Sequence, residues 1–188
     1  MTTITTVVPE GLFLTPDFIT EAEELELISW LDQQRWSTEL SRRTQYYGYQ
    51  YNYTSRSVQT TVALSGPLLQ LQQKFAAGGH NNLTQCIVNE YYRDQGIAPH
   101  IDLNIFGPII IGVSLSADTV MSFERCMNNG TEVFDCFLQR RSLVMLTGEA
   151  RSQWKHSISR KVTYYDEHGI KITKPGDYRR ISCTFRSV

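Results

Sequence analysis

The chain has 188 residues, 41% hydrophobic and 20% charged, with a formal net charge of −1. That length suits one core and is short for two, so a single domain over residues 1–188 is expected. The near-neutral balance excludes an overall basic field, and a nucleic-acid partner would need a local patch of Lys and Arg.

Residues 1–10 read as a loose N-terminal arm, without the basic leader or long apolar run of a targeting segment. Gly11–Leu14 is a short apolar run expected to form a strand. Thr20 and Glu23 have the spacing of a capping box, in which a hydroxyl serves an orphan amide and a carboxylate reaches back. Leu25, Ile28 and Leu31 follow at helical intervals, so a helix is predicted over about 20–33. Next comes a run holding five tyrosines, Tyr46, Tyr47, Tyr49, Tyr51 and Tyr53. A second helix should begin near Pro67, a residue suited to a first turn, and stop before Gly78 and Gly79. Leu68, Leu71 and Phe75 would be its core face.

The remainder reads as strands. Gln85–Tyr92 alternates, with Ile87, Asn89 and Tyr91 on one face. Pro108–Leu115 is nearly all apolar, and Val120–Glu124, Glu132–Leu138, Ser142–Leu146 and Arg180–Arg186 are rich in strand formers. Two helices followed by many short strands imply an α+β, mainly β fold, a sandwich or jelly roll with both helices packed on one sheet. Cys86, Cys126, Cys136 and Cys183 form no C-x-x-C pair and read as reduced, partly buried thiols of an intracellular protein, cytoplasmic or nuclear. No apolar stretch is long enough to suggest a membrane span.

Pro99-His100-Ile101-Asp102 sets an imidazole and a carboxylate two residues apart, on one face of extended backbone. His156 is the best third ligand from a distant strand. Two His and one carboxylate leave positions open on a six-coordinate metal, as an Fe(II) centre that binds a chelating cosubstrate and O2 requires. By itself H-x-D is a weak signal. His80 and His168, in polar stretches beside glycine, read as loop histidines. On the last strand Arg180, Ser182, Thr184 and Arg186 share one face, opposite Ile181, Cys183 and Phe185. A buried cation needs a partner, and a dicarboxylate would supply one through the planar guanidinium fork. Arg180 and Arg186 lie about 20 Å apart along a straight strand, so Arg180 is the expected anchor of the distal carboxylate. Arg186 falls nearer the metal or is a solvated terminal residue. Asn89 and Tyr91 could face the same ligand or simply pack. Trp154 reads as core, and Arg151 as either a support for the ligands or a turn residue.

Together these segments resemble the AlkB-like family of Fe(II)/2-oxoglutarate-dependent dioxygenases. The blocks that carry the resemblance occur in the family's order. Asn89-Glu90-Tyr91 precedes His100-Ile101-Asp102. Ser114-Leu115-Ser116 precedes Val120-Met121-Ser122-Phe123. Arg140-Arg141-Ser142-Leu143, Gly148-Glu149-Ala150-Arg151 and His156-Ser157-Ile158 follow, and Arg180-Ile181-Ser182-Cys183-Thr184-Phe185-Arg186 closes the series. The resemblance implies a double-stranded β-helix that binds Fe(II) through His100, Asp102 and His156. It implies 2-oxoglutarate contacts from Asn89, Tyr91, Arg180 and Arg186, with Ser182 standing where the family carries Asn. It also implies a reaction with O2 that hydroxylates a C–H bond and dealkylates where that carbon is bonded to nitrogen.

The tyrosine run, within residues 40–60, falls where the family places its nucleotide-recognition lid. Tyr47, Tyr49 and Tyr51 could stack on bases, and Arg42, Arg43 and Arg56 could meet phosphates. The same tyrosines could equally pack an edge hairpin. Asn104, two residues beyond Asp102, stands where DNA-repair members commonly carry an acid. The expected substrate is an alkylated nucleobase in DNA or RNA. The alternatives are a protein or small-molecule hydroxylase on the same core, and a non-catalytic jelly-roll binding module.

Overall fold

The computed structural model describes residues 3–52 and 55–188. In chain order the described elements are β1 (Thr3–Thr6), β2 (Leu12–Thr15), α1 (Glu21–Asp32), β3 (Arg43–Tyr47), β4 (Tyr49–Asn52), β5 (Ser57–Thr60), α2 (Gly66–Ala77), β6 (Gln85–Tyr92) and β7 (Ile97–His100). They continue as β8 (Ile110–Leu115), β9 (Thr119–Met127), β10 (Gly130–Leu138), β11 (Leu143–Leu146), α3 (Gly148–Ser152), β12 (Lys155–Ile158), β13 (Thr163–Tyr165), β14 (Lys171–Thr173) and β15 (Arg179–Arg186).

Two sheets form the sandwich, a five-stranded one ordered β1-β10-β9-β12-β7 and a six-stranded one ordered β2-β11-β8-β15-β6-β3. The expected jelly roll is therefore present, and both helices cover one face of the six-stranded sheet. That face is built by alternation. Ile181, Cys183 and Phe185 from β15, Cys86 and Val88 from β6, and Val113 and Leu115 from β8 pack against Leu27 and Leu31 of α1 and Leu68, Leu71 and Phe75 of α2. A second apolar cluster, including Phe123, Leu138, Val144, Leu146 and Trp154, fills the space between the sheets. Trp154 is thus core, as its sequence context indicates.

Local chemistry explains the element ends. Thr20 accepts from the Glu23 amide at 3.2 Å, and the Glu23 carboxylate accepts from the Thr20 amide at 2.7 Å, which completes the capping box. Gly48, with φ of +75°, turns β3 into β4 where any side chain would strike the Thr84 carbonyl.

Two readings of the sequence are corrected. Leu25 is 59% exposed, and the buried face of α1 runs through Glu24, Leu27 and Leu31. Glu24 can occupy that face because Arg140 and the Ser116 amide satisfy its carboxylate, at 2.5 and 2.8 Å. The segment read as a loose arm contains a strand. β1 adds in parallel to the edge of β10, pairing Thr3 with Gly130 and Thr6 with Val133, and the β-branched Ile4, Thr5 and Thr6 suit such an edge. Among the described residues no helix is long and apolar enough to cross a membrane. Tyr53 lies outside the described residues.

Candidate metal centre

The inner face of the six-stranded sheet carries the polar half of the alternation. Arg180, Ser182, Thr184 and Arg186 of β15 and Asn89 and Tyr91 of β6 line a chamber of about 60 Å³ between the sheets. His100, Asp102 and His156 close its other wall. His156 reaches the pair at 100 and 102 because β12 and β7 are antiparallel neighbours in which His156 is the direct partner of His100. Directly opposed residues on one face bring their Cβ atoms to about 5 Å. Beyond this pair Ile158 aligns with Ile97, so β7 spends one more residue than β12 over the same stretch. Such a bulge re-aims the side chains beside it, and Pro99, which has no amide to donate, lies within it. The ring centroids of His100 and His156 are 4.4 Å apart.

One ligand atom from each of His100, Asp102 and His156 lies within 4.8 Å of the other two. Their hydrogen bonds leave the metal-binding atoms available. His100 Nδ1 lies 2.9 Å from the Ala98 carbonyl oxygen, which can only accept, so Nδ1 is the donor there and Nε2 is the ring atom left for a metal. Asp102 Oδ1 accepts from Arg186 Nη2 at 2.8 Å. Asp102 Oδ2 is buried without a hydrogen-bond partner, 3.9 Å from His156 Nε2. Burial, reinforced by His100, pushes the His156 pKa down to about 4, so its imidazole is neutral at physiological pH. Two imidazoles and a buried carboxylate oxygen lacking a partner form the donor set of a facial two-His, one-carboxylate site. The residues fit a divalent metal.

Arg180 lies at the other end of the strand face. It is 2% exposed, donates to Ser114 Oγ at 2.9 Å, and stands 5.6 Å from the centroid of the Tyr91 ring. Among the described residues it pairs with no carboxylate, and its Nε has no partner. A buried guanidinium in that state favours an anion. Asn89 Oδ1 accepts from Arg42 Nε at 2.7 Å, which draws Arg42 to the rim. The wider mouth, about 420 Å³, is lined by Arg42, Arg160 and Arg186, with Asp102 its one acid.

A family model described as the 2OG-Fe(II) oxygenase superfamily matches residues 24–186, most of the chain. The chain is 33% identical, over 95% of its length, to the "Alkylated DNA repair protein ALKBH8 homolog" of Arabidopsis thaliana. The chain belongs to the AlkB-like 2OG-Fe(II) oxygenases. Fe(II), 2-oxoglutarate and O2 are accordingly its cofactor and cosubstrates. This AlkB-like chain is also 30% identical to "Uncharacterized protein L905" of Acanthamoeba polyphaga mimivirus, with 95% of the chain and 85% of the relative covered. The solved structure of OsALKBH1 superposes with a TM-score of 0.71 at 15% identity, covering 97% of this chain and 98% of that one, and shows the shared fold. The chain spans 58%, 25% and 31% of the lengths of the first three curated relatives.

One of the residues read as facing the substrate, Tyr47, is placed in the core instead. Tyr47 is 4% exposed and packs in the helix-covered core, its hydroxyl donating to Gln45 Oε1 at 2.9 Å, so it is not available to a substrate. It falls on the inward phase of β3. Arg43 is likewise committed, bonding the Glu90 carboxylate and stacking 4.9 Å from the centroid of Trp36. Tyr49 and Tyr51 are half-buried on the β4–β5 hairpin, outside the chamber lining, and the Tyr51 ring lies edge-on to Phe106 at 6.4 Å. Asn104 is exposed on the turn beyond Asp102 and lines neither chamber nor mouth.

Sequence reasoning left Arg151 open between support and turn, and it did not single out Arg160. Arg151 is buried and donates to the carbonyls of Asp102, Leu103, Phe106 and Gly107, clasping the loop that carries the metal carboxylate. The signal available was an arginine in an otherwise turn-like stretch, five residues before a ligand.

Proposed function

We propose that His100, Asp102 and His156 hold Fe(II), that Arg180 anchors the distal carboxylate of 2-oxoglutarate, and that the site oxidises an alkylated nucleobase in DNA or RNA. The observation that carries the cosubstrate assignment is a single chamber with three metal-binding side chains on one wall and a buried, acid-free guanidinium on the other. When bound, the iron with 2-oxoglutarate and O2 supplies oxidative decarboxylation, giving succinate and CO2 and placing one oxygen atom on a substrate C–H bond. If that carbon is attached to nitrogen, the hydroxylated product releases an aldehyde.

The protein's own groups orient and exclude. Arg186 holds Asp102 Oδ1, which directs Oδ2 toward the imidazoles. Arg151 fixes the backbone of residues 102–107, and Tyr91 and Asn89 wall the cosubstrate. Ser182 offers a hydroxyl on the same face. Arg42 and Arg160 at the mouth support a nucleic-acid substrate, because phosphates are met by such cations, whereas an acidic or neutral rim would favour a protein or small molecule. The β4–β5 hairpin, with Tyr49 and Tyr51, and Asn104 would form the outer recognition surface. The names of several relatives point the same way, among them "DNA N6-methyl adenine demethylase" of Caenorhabditis elegans, which is 27% identical.

The test is a panel of base-modified DNA and RNA oligonucleotides analysed by mass spectrometry after incubation with Fe(II) and 2-oxoglutarate. The expected result is a mass change on at least one base, stoichiometric with succinate. Succinate without a mass change on any oligonucleotide, together with modification of a protein or small molecule, would assign the second chemistry to this core.

A further inference from the structure

A second cavity, of about 400 Å³, lies on the opposite face of the five-stranded sheet from the metal centre. Alternation along β9 sends Met121 into the inner chamber and Val120 and Ser122 outward into this one. The β13–β14 hairpin forms its other wall. None of its lining residues takes part in the chemistry above. Lys161, Lys171 and Lys174 line it, three of the five lysines in a chain of net charge −1, against a single acid, Asp135.

Lys174 is the informative residue. It is 3% exposed, its ammonium lies 3.4 Å from the Ser159 carbonyl oxygen and 5.0 Å from the centroid of the Tyr178 ring, and it pairs with no carboxylate among the described residues. Burial, together with Arg180, holds its pKa below the ordinary lysine value. Asp94 acts against this shift but makes no ion pair with the ammonium, and an anion in the adjoining cavity would stabilise the buried charge further. The hydroxyls of Ser122 and Thr163 line the same space as further donors.

The cavity is joined to the metal centre by sequence. Directly after β12, Arg160 lines the metal-centre mouth, while its neighbours Ser159 and Lys161 line the outer cavity. Cations therefore continue from Arg42 and Arg160 at the mouth to the three lysines outside. Tyr165, 61% exposed on the same hairpin, offers a face on which a base can stack. We propose that the outer cavity binds phosphodiester groups of a single-stranded nucleic acid whose modified base is presented at the metal centre. This rests on the nucleic-acid reading of the site and gives the strand a path.

The experiment is fluorescence anisotropy of a short, unmodified, labelled oligouridine with the metal-free chain, across a salt series. Lys161→Ala/Lys171→Ala alters two exposed side chains. It should weaken binding about 25-fold at about 0.1 M salt and lower the log–log salt slope by about 1.4, two contacts at about 0.7 each. Lys174→Met, checked for folding by circular dichroism, should weaken binding further, and Lys74→Ala on α2 should leave the slope unchanged. Wild-type affinity and slope in the double variant would overturn the proposal, as would an equal loss in Lys74→Ala. Displacement of the oligonucleotide by inorganic phosphate beyond that caused by chloride of matched ionic strength would mean a free-anion site and overturn it too. Equal competition by polyglutamate would mean an acidic protein partner. Because no metal is present, lysine-dependent binding survives a failure to turn over any modified base, which would sink only the reaction proposed above. Turnover of a modified oligonucleotide with lysine-independent binding would sink only this inference.

Discussion

Arg180 and Asp102 are the residues on which the chemistry turns, and each leaves one polar atom buried and unpaired. For Arg180 this gives a two-sided prediction. Arg180→Met removes a buried cation with no acid partner, so the cosubstrate-free protein should keep or gain thermal stability. The same change should raise the 2-oxoglutarate KM by about two orders of magnitude, since truncating one partner of a buried charge pair costs about 2–5 kcal/mol. Steady-state succinate assays check this, and an unchanged KM would mean the anchor lies elsewhere. For Asp102 the conservative change is the cleaner one. Asp102→Asn keeps a group that can face Arg186 but removes the charge, and it should abolish Fe(II)-dependent succinate formation while circular dichroism shows a folded chain. The alternative Asp102→Ala leaves the half-buried Arg186 without its partner as well and should lower stability by about 1–3 kcal/mol, so its loss of activity would be harder to assign.

Elements bring these residues together, and their contacts carry their own predictions. Gly96 leads into β7, where an added Cβ would overlap the Ile158 carbonyl of β12. Gly96→Ala should therefore push β7 off β12, part His100 from His156, and weaken Co(II) binding measured calorimetrically, with about 1–3 kcal/mol lost in stability. Retained Co(II) affinity would show that this close approach does not set the ligand geometry. On the helix side, Glu90 ties β6 to β3 and β15 through Arg43 and Arg179, and Arg179 continues to Asp32 at the end of α1. Burial pushes the Glu90 carboxyl upward, but the two guanidiniums outweigh it and hold its pKa below the ordinary value. A folded pKa below the unfolded one means stability that is present above the unfolded value, about 4.3, and lost as pH falls through the folded value. Glu90→Gln should lower stability at neutral pH and flatten the loss below about pH 4.3. Chemical denaturation at several pH values would show it, and parallel stability curves for both proteins would contradict it.

Across the whole molecule, the strands and the site were legible where period and chemistry agreed. The alternation of β15 separates Arg180, Ser182, Thr184 and Arg186 from the apolar trio between them, and the structure divides them between chamber and core accordingly. The helix caps were equally plain. Tyr47 was not, because a run of alternating tyrosines reads the same whichever phase faces inward, and β3 turns that one under α1. Nor was the exposure of Leu25, since the buried place it would have taken belongs to a glutamate whose partners, Arg140 and the Ser116 amide, are remote in sequence. Convergence of His156 on His100 depends on a cross-strand register that no local pattern contains, and there the family resemblance supplied what periodicity could not.

The most direct test of the account is a crystal of the chain grown anaerobically with Fe(II) and 2-oxoglutarate and measured at the iron absorption edge. The account predicts one anomalous peak bonded to His100 Nε2, Asp102 Oδ2 and His156 Nε2, with a chelating ligand extending from it to Arg180. A peak bonded elsewhere, or a 2-oxoglutarate carboxylate that does not touch Arg180, would contradict it.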